Sequence, residues 1–535
     1  MTKVAYDAVI IGGGHNGLVC ANYLAEAGYK IKVLERRSVV GGAAVTEEFH
    51  PGFRNSIAAY TVSLLNPKVI DDLNLYQHGL KILERPFSNF LPLSDNESLT
   101  MGSDLAATQA EFARFSEKDA AVLPAYFDML ENVADVLRKL ILTTPVGING
   151  GLSNIVRAVK VGGMMRKLEK DAQYDVLDMF TKSAAEILDQ WFENEHLKAV
   201  FAFDAVVGNY ASPWTPGSAY VLLHHVFGEV NGKKGAWGHA VGGMGAITQA
   251  MLKEAQIRGV DIQTDASVKK VLVEDGEAKG VLLDDGSQIL ANNVIANVNP
   301  KLLYLDLMDE TDLDPNFLRR IKAYRCGSAT FRMNVALSEL PNFTCKPSTE
   351  PQLHHQSGII IAPTMKYMEE AHMDARKYGW SKKPIVEILI PSTIDDSLAP
   401  EDQHVASLFC QHFDPELPDG KSWKDFSEQA ADLIIDTVDA VAPNFKASVI
   451  ARTILSPLDL EEKLGLVAGD IMHGSLGLDQ LYTNRPLMGY SDYRGPLKGL
   501  YMCGSGTHPG GGVTGAPGHN AAQEFIKDNR FKAKA

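Results

Sequence analysis

Three features that would assign a chain to a familiar class are missing from this sequence. Its five cysteines are scattered and include no C-x-x-C pair, which argues against a disulfide framework, a zinc site and a dithiol redox centre. No stretch approaches the roughly 18 apolar residues of a membrane span. The 51 basic and 66 acidic residues give a net charge of −15, unlike a nucleic-acid-binding protein. We therefore predict no metal site and no nucleic-acid partner.

What remains is the composition of an ordinary globular protein. The chain has 535 residues, of which 45% are hydrophobic, so it can bury a large core. The first strand pattern begins by Tyr6, and we expect no signal or transit peptide ahead of it. Together with the unpaired cysteines, this favours a reducing, cytoplasmic location.

A strand–turn–helix–strand pattern opens the chain. Residues 6–11 (YDAVII) are a short apolar run typical of a buried strand, and residues 12–14 are glycines. A helix pattern follows and stops at Gly28, and residues 30–34 (KIKVL) form a second strand pattern that ends at Glu35. This order predicts the βαβ unit that begins a doubly wound α/β fold.

The glycine-rich turn carries a dinucleotide-binding motif. Residues 12–17 (GGGHNG) match G-x-G-x-x-G in the context that this motif requires. Gly12 permits the tight turn, Gly14 lets the backbone approach a pyrophosphate, and Gly17 lets helix and strand pack closely. Glu35 can accept hydrogen bonds from both ribose hydroxyls, which favours FAD or NAD over NADP. The motif occurs in full only once, so a separate NAD(P)H domain is not evident.

The rest of the chain predicts two domains that alternate along the sequence. Helical patterns dominate residues 86–239, whereas residues 240–300 contain a glycine-rich turn and two Asp-Gly hairpin signals. A last short strand pattern runs into the glycine-rich turn at 504–512. We predict a nucleotide-binding domain from 1–85, 240–300 and 495–535, and a substrate domain from 86–239 and 301–494.

Three segments carry a resemblance to a known family. Residues 10–28 with 34–53, the run GGMGAITQAMLKEA and the run LYMCGSGTHPGGGVTGAPG occur in the order found in phytoene desaturase-type FAD-dependent oxidoreductases. The chain is similar to a subgroup that includes desaturase-like carotenoid ketolases. The resemblance implies an α/β fold with a discontinuous FAD-binding Rossmann-like domain and an inserted mixed α+β substrate domain.

The resemblance also implies which residues hold FAD. The cofactor-binding residues would be Gly12, Gly14, His15, Asn16, Gly17, Glu35, Arg36, Gly41, Gly42, Ala43, Val268, Gly504, Ser505, Gly511, Gly512 and Val513. Val268 would contact the adenine through its backbone. Gly504 and Ser505 would lie near the ribityl–phosphate end, and residues 507–512 would line the isoalloxazine ring, with Val513 just beyond.

The implied function is FAD-dependent desaturation or oxidation of a lipophilic, polyene- or isoprenoid-like substrate by hydride transfer to the flavin. Oxygen or a quinone would then accept the electrons, because no NAD(P)H domain is visible. Three alternatives stay open: a redox-neutral isomerase or saturase, an amine oxidase, and an FAD-binding interaction protein without turnover. The substrate, the acceptor and the oligomeric state are not predicted.

His508 is the candidate acid–base residue. It lies in the turn that the resemblance places beside the flavin, and imidazole titrates near neutral pH. The alternative is that His508 only hydrogen-bonds the cofactor or the turn. The adjacent pairs at 224–225 and 354–355 point apart on any regular element, so neither predicts a metal site.

Residues 138–170 predict a possible membrane-facing segment. It holds seven basic residues and one acid, Glu169, which gives a local charge of +6. The basic residues are Arg138, Lys139, Arg157, Lys160, Arg166, Lys167 and Lys170. Apolar residues interleave with them, as in helices that lie on anionic lipid. The alternative is a solvated helix face over the core.

Overall fold

The computed structural model describes residues 5–102, 104–148, 151–348 and 350–530. The strands are β1 (Ala8–Ile11), β2 (Ile31–Leu34), β3 (Thr46–His50), β4 (Phe53–Ser56), β5 (Ile82–Glu84), β6 (Asn89–Pro92), β7 (Ser98–Thr100), β8 (Glu229–Val230), β9 (Lys233–Lys234), β10 (Gly238–Ala240), β11 (Asp261–Gln263), β12 (Val268–Glu274), β13 (Glu277–Leu283), β14 (Gln288–Leu290), β15 (Val294–Ala296), β16 (Thr330–Leu337), β17 (Gly358–Ile361), β18 (Trp380–Leu389), β19 (His404–Phe413), β20 (Val449–Leu455) and β21 (Leu500–Met502). The helices are α1 (His15–Glu26), α2 (Pro67–Asp72), α3 (Leu105–Ala113), α4 (Glu117–Ile141), α5 (Leu152–Arg166), α6 (Lys170–Thr181), α7 (Ala184–Trp191), α8 (Glu195–Val206), α9 (Ser218–Val226), α10 (Gly245–Ile257), α11 (Pro315–Lys322), α12 (Met365–Tyr378), α13 (Trp423–Asp439), α14 (Phe445–Ser448), α15 (Pro457–Leu464) and α16 (Ala516–Asn529).

A five-stranded parallel sheet in the order β11-β2-β1-β15-β21 carries the glycine-rich turn. Strands β1, β2, β15 and β21 are buried along their whole length, because helices or hairpins cover both faces of a parallel sheet. Ile10 packs with α1, α10 and α16 on one face, whereas Val9 and Ile11 pack on the other. The predicted α/β class is confirmed, as are the hairpins at Asp275-Gly276 and Asp285-Gly286.

A second sheet of seven strands, in the order β20-β16-β19-β18-β17-β6-β7, lies in the rest of the chain. Its pairs are antiparallel except β17 with β6. One face packs on α13, and residues of the other face join the core of the helices between 117 and 226. The parallel strands fall within 1–85, 240–300 and 495–535 and the second sheet within 86–239 and 301–494. The domain boundaries themselves stay a prediction.

Most of the glycine-containing stretch 151–170 is helical. Helix α5 forms there although Gly162 and Gly163 weaken it. Within the four described ranges, the structure has no helix that is long and apolar enough to cross a bilayer.

A buried carboxylate fastens α5 to the nucleotide-binding part. Glu524 of α16 is 1% exposed and accepts hydrogen bonds from Arg157 (3.0 Å), Thr144 (2.6 Å), Lys527 (2.6 Å) and Arg494 (2.9 Å). Burial opposes its ionisation, but the bonds from Lys527 and Thr144 and the nearby charges outweigh burial and hold the pKa of Glu524 at about 2. The network therefore joins three distant segments around one charge.

We expect Glu524→Gln to lower the free energy of unfolding by about 2 kcal/mol at pH 7, because charged hydrogen bonds are lost. A depressed folded-state pKa contributes stability above the unfolded-state value near 4 and loses it as pH falls towards 2. The difference in the free energy of unfolding between the variant and the parent, measured by urea titration, should therefore shrink below pH 4. Glu401→Gln, at an exposed carboxylate, is the control. If the difference in the free energy of unfolding were as large at pH 3 as at pH 7, the ionised carboxylate of Glu524 would not be its source.

Candidate functional site

The amino end of α1 provides an open row of backbone N–H groups. Gly12 ends β1 with a φ of +96°, and Gly14 is the N-cap of α1 without a side-chain capping bond. A Cβ on Gly17 would lie 2.2 Å from the carbonyl oxygen of Gly12 and 2.8 Å from Nδ2 of Asn297. The helix can therefore approach the sheet only with glycine at 17. Its uncapped N–H groups and positive dipole end suit an anion such as a pyrophosphate.

Glu35 is held beside this turn by the backbone. It is 5% exposed, its Oε2 accepts from the N–H of Gly13 at 2.9 Å, and its Oε1 accepts from the N–H of Arg37 at 3.0 Å. Each carboxylate oxygen can accept a second hydrogen bond. The arrangement fits two ribose hydroxyls, as the sequence predicts.

These residues line a cavity, here called the phosphate cavity. Of the predicted cofactor-binding residues, it is lined by Gly12, Gly14, His15, Asn16, Glu35, Arg36, Gly42, Ala43, Val268 and Ser505. Gly41 lies behind the wall and donates to the carbonyl of Gly13 at 2.9 Å. Gly504 packs against Asn297, where a Cβ would lie 3.2 Å from Oδ1.

Sequence reasoning missed several lining residues of the phosphate cavity. Asn297 follows β15 and donates from Nδ2 to the carbonyl of Gly12 at 3.1 Å. Arg37 and His473 also line the cavity. The position of Asn297 after a buried strand was a signal that could have been used, because parallel strands end at one edge. His473 is far from every motif and had no such signal.

Several buried polar atoms here have no partner among the described residues. They are Nε2 of His15, Oδ1 of Asn16 and Nδ1 of His473. Burial lowers the pKa of His15 to about 4, so its ring is neutral and bonds to the backbone of Gly512. Unpaired buried polar atoms are costly. They fit a polar cofactor that would supply the missing partners.

A second cavity, the central cavity, meets the phosphate cavity at four shared residues. The shared residues are His15, Ala43, His473 and Ser505. Gly512 and Val513 line the central cavity, whereas Gly511 packs behind it, where a Cβ would lie 2.5 Å from Sδ of Met472. Its lining contains no Asp, Glu, Lys or Arg among the described residues. The space suits a flat ring and an uncharged partner.

Both histidines of the 224–225 pair line the central cavity, although adjacent helical residues were expected to point apart. His225 uses Nδ1 to bond the carbonyl of Val221 at 2.8 Å. Neither ring nitrogen of His224 has a partner in the described part of the chain. Burial, His225 and Arg485 hold the pKa of His224 well below its usual value. No cluster suited to a metal ion occurs among the described residues.

His508 lines a different cavity from the two described above. Its Nε2 is 3.1 Å from the carbonyl oxygen of Leu140, and its own carbonyl accepts from the hydroxyl of Tyr493 at 2.9 Å. Burial lowers the pKa of His508 to about 4, so the neutral ring donates to Leu140. The ring lines a third cavity, the outer cavity, whose walls are mainly apolar. Its catalytic role stays a prediction.

A fully buried arginine that the sequence did not reveal holds the turn at 504–513. Arg485 donates to the carbonyl of Ser505 from Nε at 3.1 Å and from Nη2 at 2.9 Å. It also bonds the carbonyls of Gly474, Ser475 and Gln480. The turn is thus fastened to residues 474–480 through one side chain.

We expect Gly17→Ala to weaken FAD binding at least ~10-fold, because the methyl group pushes α1 off the sheet and displaces its N–H groups. Titration of the apoprotein with FAD, followed by flavin fluorescence, measures this. Gly163→Ala, in α5 with nothing within 4 Å of the added methyl group, is the matched control and should bind normally. Equal affinity of both variants would contradict this role of Gly17.

Comparisons with known proteins agree with this geometry. Residues 17–330 match the family of flavin containing amine oxidoreductases. The chain is 42% identical to pyridine nucleotide-disulfide oxidoreductase domain-containing protein 2 of Mus musculus, over 98% of this chain and 94% of that protein. It is 24% identical to phytoene desaturase of Fusarium fujikuroi, over 99% and 91% of the two chains.

A solved structure of a putrescine oxidase variant shares the fold, with a TM-score of 0.61 at 16% identity over 99% of both chains. The predicted cofactor, FAD, is confirmed by these matches. The chain therefore belongs to the flavin containing amine oxidoreductase family, and it is an FAD-dependent oxidoreductase of the phytoene desaturase type.

Proposed function

We propose that the protein oxidises a lipophilic, polyene- or isoprenoid-like substrate by hydride transfer to FAD. The observation that carries this proposal is the central cavity, which adjoins the phosphate cavity and has no charged side chain in its described lining. Val62, Leu64, Ile247 and Phe409 are among its walls. Such walls bind uncharged apolar groups and exclude water. One relative is also named for the desaturation of phytoene.

The residues of the chain would bind, orient and protect the reacting groups. Bound FAD supplies the two-electron acceptor. Glu35 and the amino end of α1 hold the AMP and pyrophosphate portions, and Gly512 with Val513 forms the wall beside the ring. The apolar wall keeps the reacting carbon away from water. Oxygen or a quinone is proposed to take the electrons onward.

The proton that leaves the substrate needs an acceptor. His508 was proposed from its position in the sequence, and His508→Ala would then retain FAD and lose turnover. The ring of His508 lines the outer cavity and is not among the lining residues of the central cavity, and this position favours the alternative, a structural role. His224 offers an unbonded, neutral imidazole on the wall of the central cavity.

The amine oxidase alternative is less favoured by this lining. A protonated amine needs a carboxylate or an aromatic cage to replace its hydration. Carboxylates are missing from the described lining, although Tyr60, Trp237 and Phe409 supply aromatic faces. Isomerisation or saturation with reduced flavin would use the same cavity, and geometry alone does not separate it from oxidation.

We expect lipophilic polyenes or isoprenoids to bleach the flavin absorbance of the purified protein under anaerobic conditions. Bleaching reports electron transfer from the added compound, and the consumed component of an isoprenoid and lipid extract identifies the substrate. Aliphatic diamines should leave the absorbance unchanged, because the described lining of the central cavity contains no carboxylate. Bleaching by amines and not by the extract would reverse the assignment.

The remaining alternatives give different results in the same apparatus. An isomerase or saturase converts the extract only after the flavin has been chemically reduced. An FAD-binding interaction protein without turnover converts nothing in either redox state, while it still binds FAD. Mass spectrometry of the recovered extract distinguishes these outcomes.

We further propose that α5 rests on an anionic lipid surface from which the substrate enters. Leu152, Ile155, Val156 and Val159 form one helical face and are 59–82% exposed. Lys160, Arg166 and Lys167 on the same helix or at its end are also exposed. Met165 of α5 lines the outer cavity. An exposed apolar face flanked by basic residues suits the boundary between headgroups and acyl chains.

The structure changes which basic residues can take part. Arg157 bonds the buried Glu524, and Arg138 bonds Glu131 and Asp135 at 2.7 Å each. Two of the seven positive charges of segment 138–170 are therefore already balanced. A test of membrane contact should leave them in place.

We expect the triple variant Lys160→Glu, Arg166→Glu and Lys167→Glu to lower co-flotation with phosphatidylserine vesicles at least ~10-fold, since each basic residue near an anionic surface contributes about 1 kcal/mol. Val159→Ser should also weaken flotation. Ile257→Ser is its control, because Ile257 is 72% exposed and Val159 70%. Flotation that is unchanged in both α5 variants would refute the membrane proposal and leave the oxidation proposal intact.

A further inference from the structure

Arg485 is a buried positive charge without a direct ion pair among the described residues. Its side chain is 0% exposed, and its hydrogen-bond acceptors among the described residues are all backbone carbonyl oxygens. Carbonyl dipoles solvate a guanidinium but do not cancel its net charge. A charge in such surroundings acts over a longer range than one in water.

This charge lies against the turn that lines the central cavity. A Cβ on Gly510 would be 3.5 Å from Cζ of Arg485, and the carbonyl of Ser505, a residue that lines both cavities, accepts two of its bonds. Met472, whose carbonyl is also bonded, lines the central cavity. The guanidinium therefore lies behind the turn beside which the isoalloxazine ring is proposed to bind.

The cavity walls already respond to this charge. Burial lowers the pKa of His473 to about 3, and Arg485 adds to that effect. Burial and His225 lower the pKa of His224 well below its usual value, again with a contribution from Arg485. These two histidines lie on the central cavity. A ring placed between them would feel the same positive field.

One buried carboxylate opposes Arg485. Asp470 is 2% exposed and accepts from the backbone N–H groups of Gly327 (2.9 Å), Met472 (2.8 Å) and Gly474 (2.9 Å). Burial raises the pKa of Asp470, whereas these three N–H bonds and the charge of Arg485 act in the opposite direction and favour the carboxylate. The carboxylate of Asp470 faces these three N–H groups and makes no direct bond to Arg485, so it opposes the positive charge only from a distance.

We propose that Arg485 raises the reduction potential of the bound FAD. Hydride transfer from the substrate would give bound FAD two electrons and one proton, and so one more negative charge. The guanidinium stabilises that added charge without forming or breaking a bond, as a preorganised electrostatic group does. This rests on the proposed placement of the ring in the central cavity.

A purely structural role for Arg485 makes a different prediction. If the side chain only ties residues 505 and 472–480 together, then its loss changes FAD affinity and thermal stability. It would leave the potential of any FAD that remains bound unaltered. Potential and affinity are measured separately, so the two roles can be distinguished.

The test is an anaerobic reductive titration of the holoprotein against a reference dye, which needs no substrate. Arg485→Gln should shift the two-electron equilibrium at least ~10-fold towards oxidised FAD, or about 30 mV to more negative potential. Arg485→Lys, which keeps the charge but not the planar fork, should stay within about threefold of the parent. An Arg485→Gln holoprotein within threefold of the parent overturns the proposal.

A second variant covers the case in which Arg485→Gln does not retain FAD. Asp470→Asn removes the opposing charge and keeps an acceptor oxygen, so it should shift the equilibrium ~10-fold in the opposite direction, towards reduced FAD. No shift, or a shift towards oxidised FAD, overturns the proposal. Because no substrate is added, failure to find a lipophilic substrate does not affect either result.

Discussion

The structure depends on the close approach of α1 to the carboxyl edge of the parallel sheet. Gly17 allows the helix to touch the carbonyl of Gly12, and the uncapped end of the helix then faces the phosphate cavity. Because the strands are parallel, Glu35 after β2 and Asn297 after β15 arrive at the same edge. The turn after β21 arrives there too, which places Ser505 beside Asn16, whose Nδ2 donates to it at 3.2 Å. One helix end thus sets where a dinucleotide can bind.

The central cavity is neutral at its surface and charged behind it. The hydroxyl of Tyr60, a lining residue, donates to the buried Glu387 at 2.5 Å, and the guanidinium of Arg332 lies 4.5 Å from the ring centre of Tyr60. Buried contacts of this kind fix side chains in one arrangement. The cavity wall is therefore preformed, while the groups that touch a substrate remain uncharged. Arg485 likewise lies behind the turn at 504–513, where it bonds the carbonyl of Ser505.

The sequence predicted what depends on local patterns. The βαβ unit, the two Asp-Gly hairpins and the last strand all follow from short-range periodicity and turn residues, and the structure confirms them. It did not predict His473 or Arg485, because their roles come from contacts between segments that no local signal connects. His508 illustrates the same limit. Its position in the turn is visible in the sequence, but the bond from its ring to Leu140 is 368 residues away along the chain.

An experimental structure of the purified yellow protein with its bound cofactor would show directly where FAD lies. We expect the adenine beside Val268, the pyrophosphate at the amino end of α1, and the isoalloxazine ring in the central cavity beside Gly512 and Val513. We also expect apolar space left over next to the ring for a substrate. A ring outside the central cavity, or one that fills the cavity completely, would contradict the account.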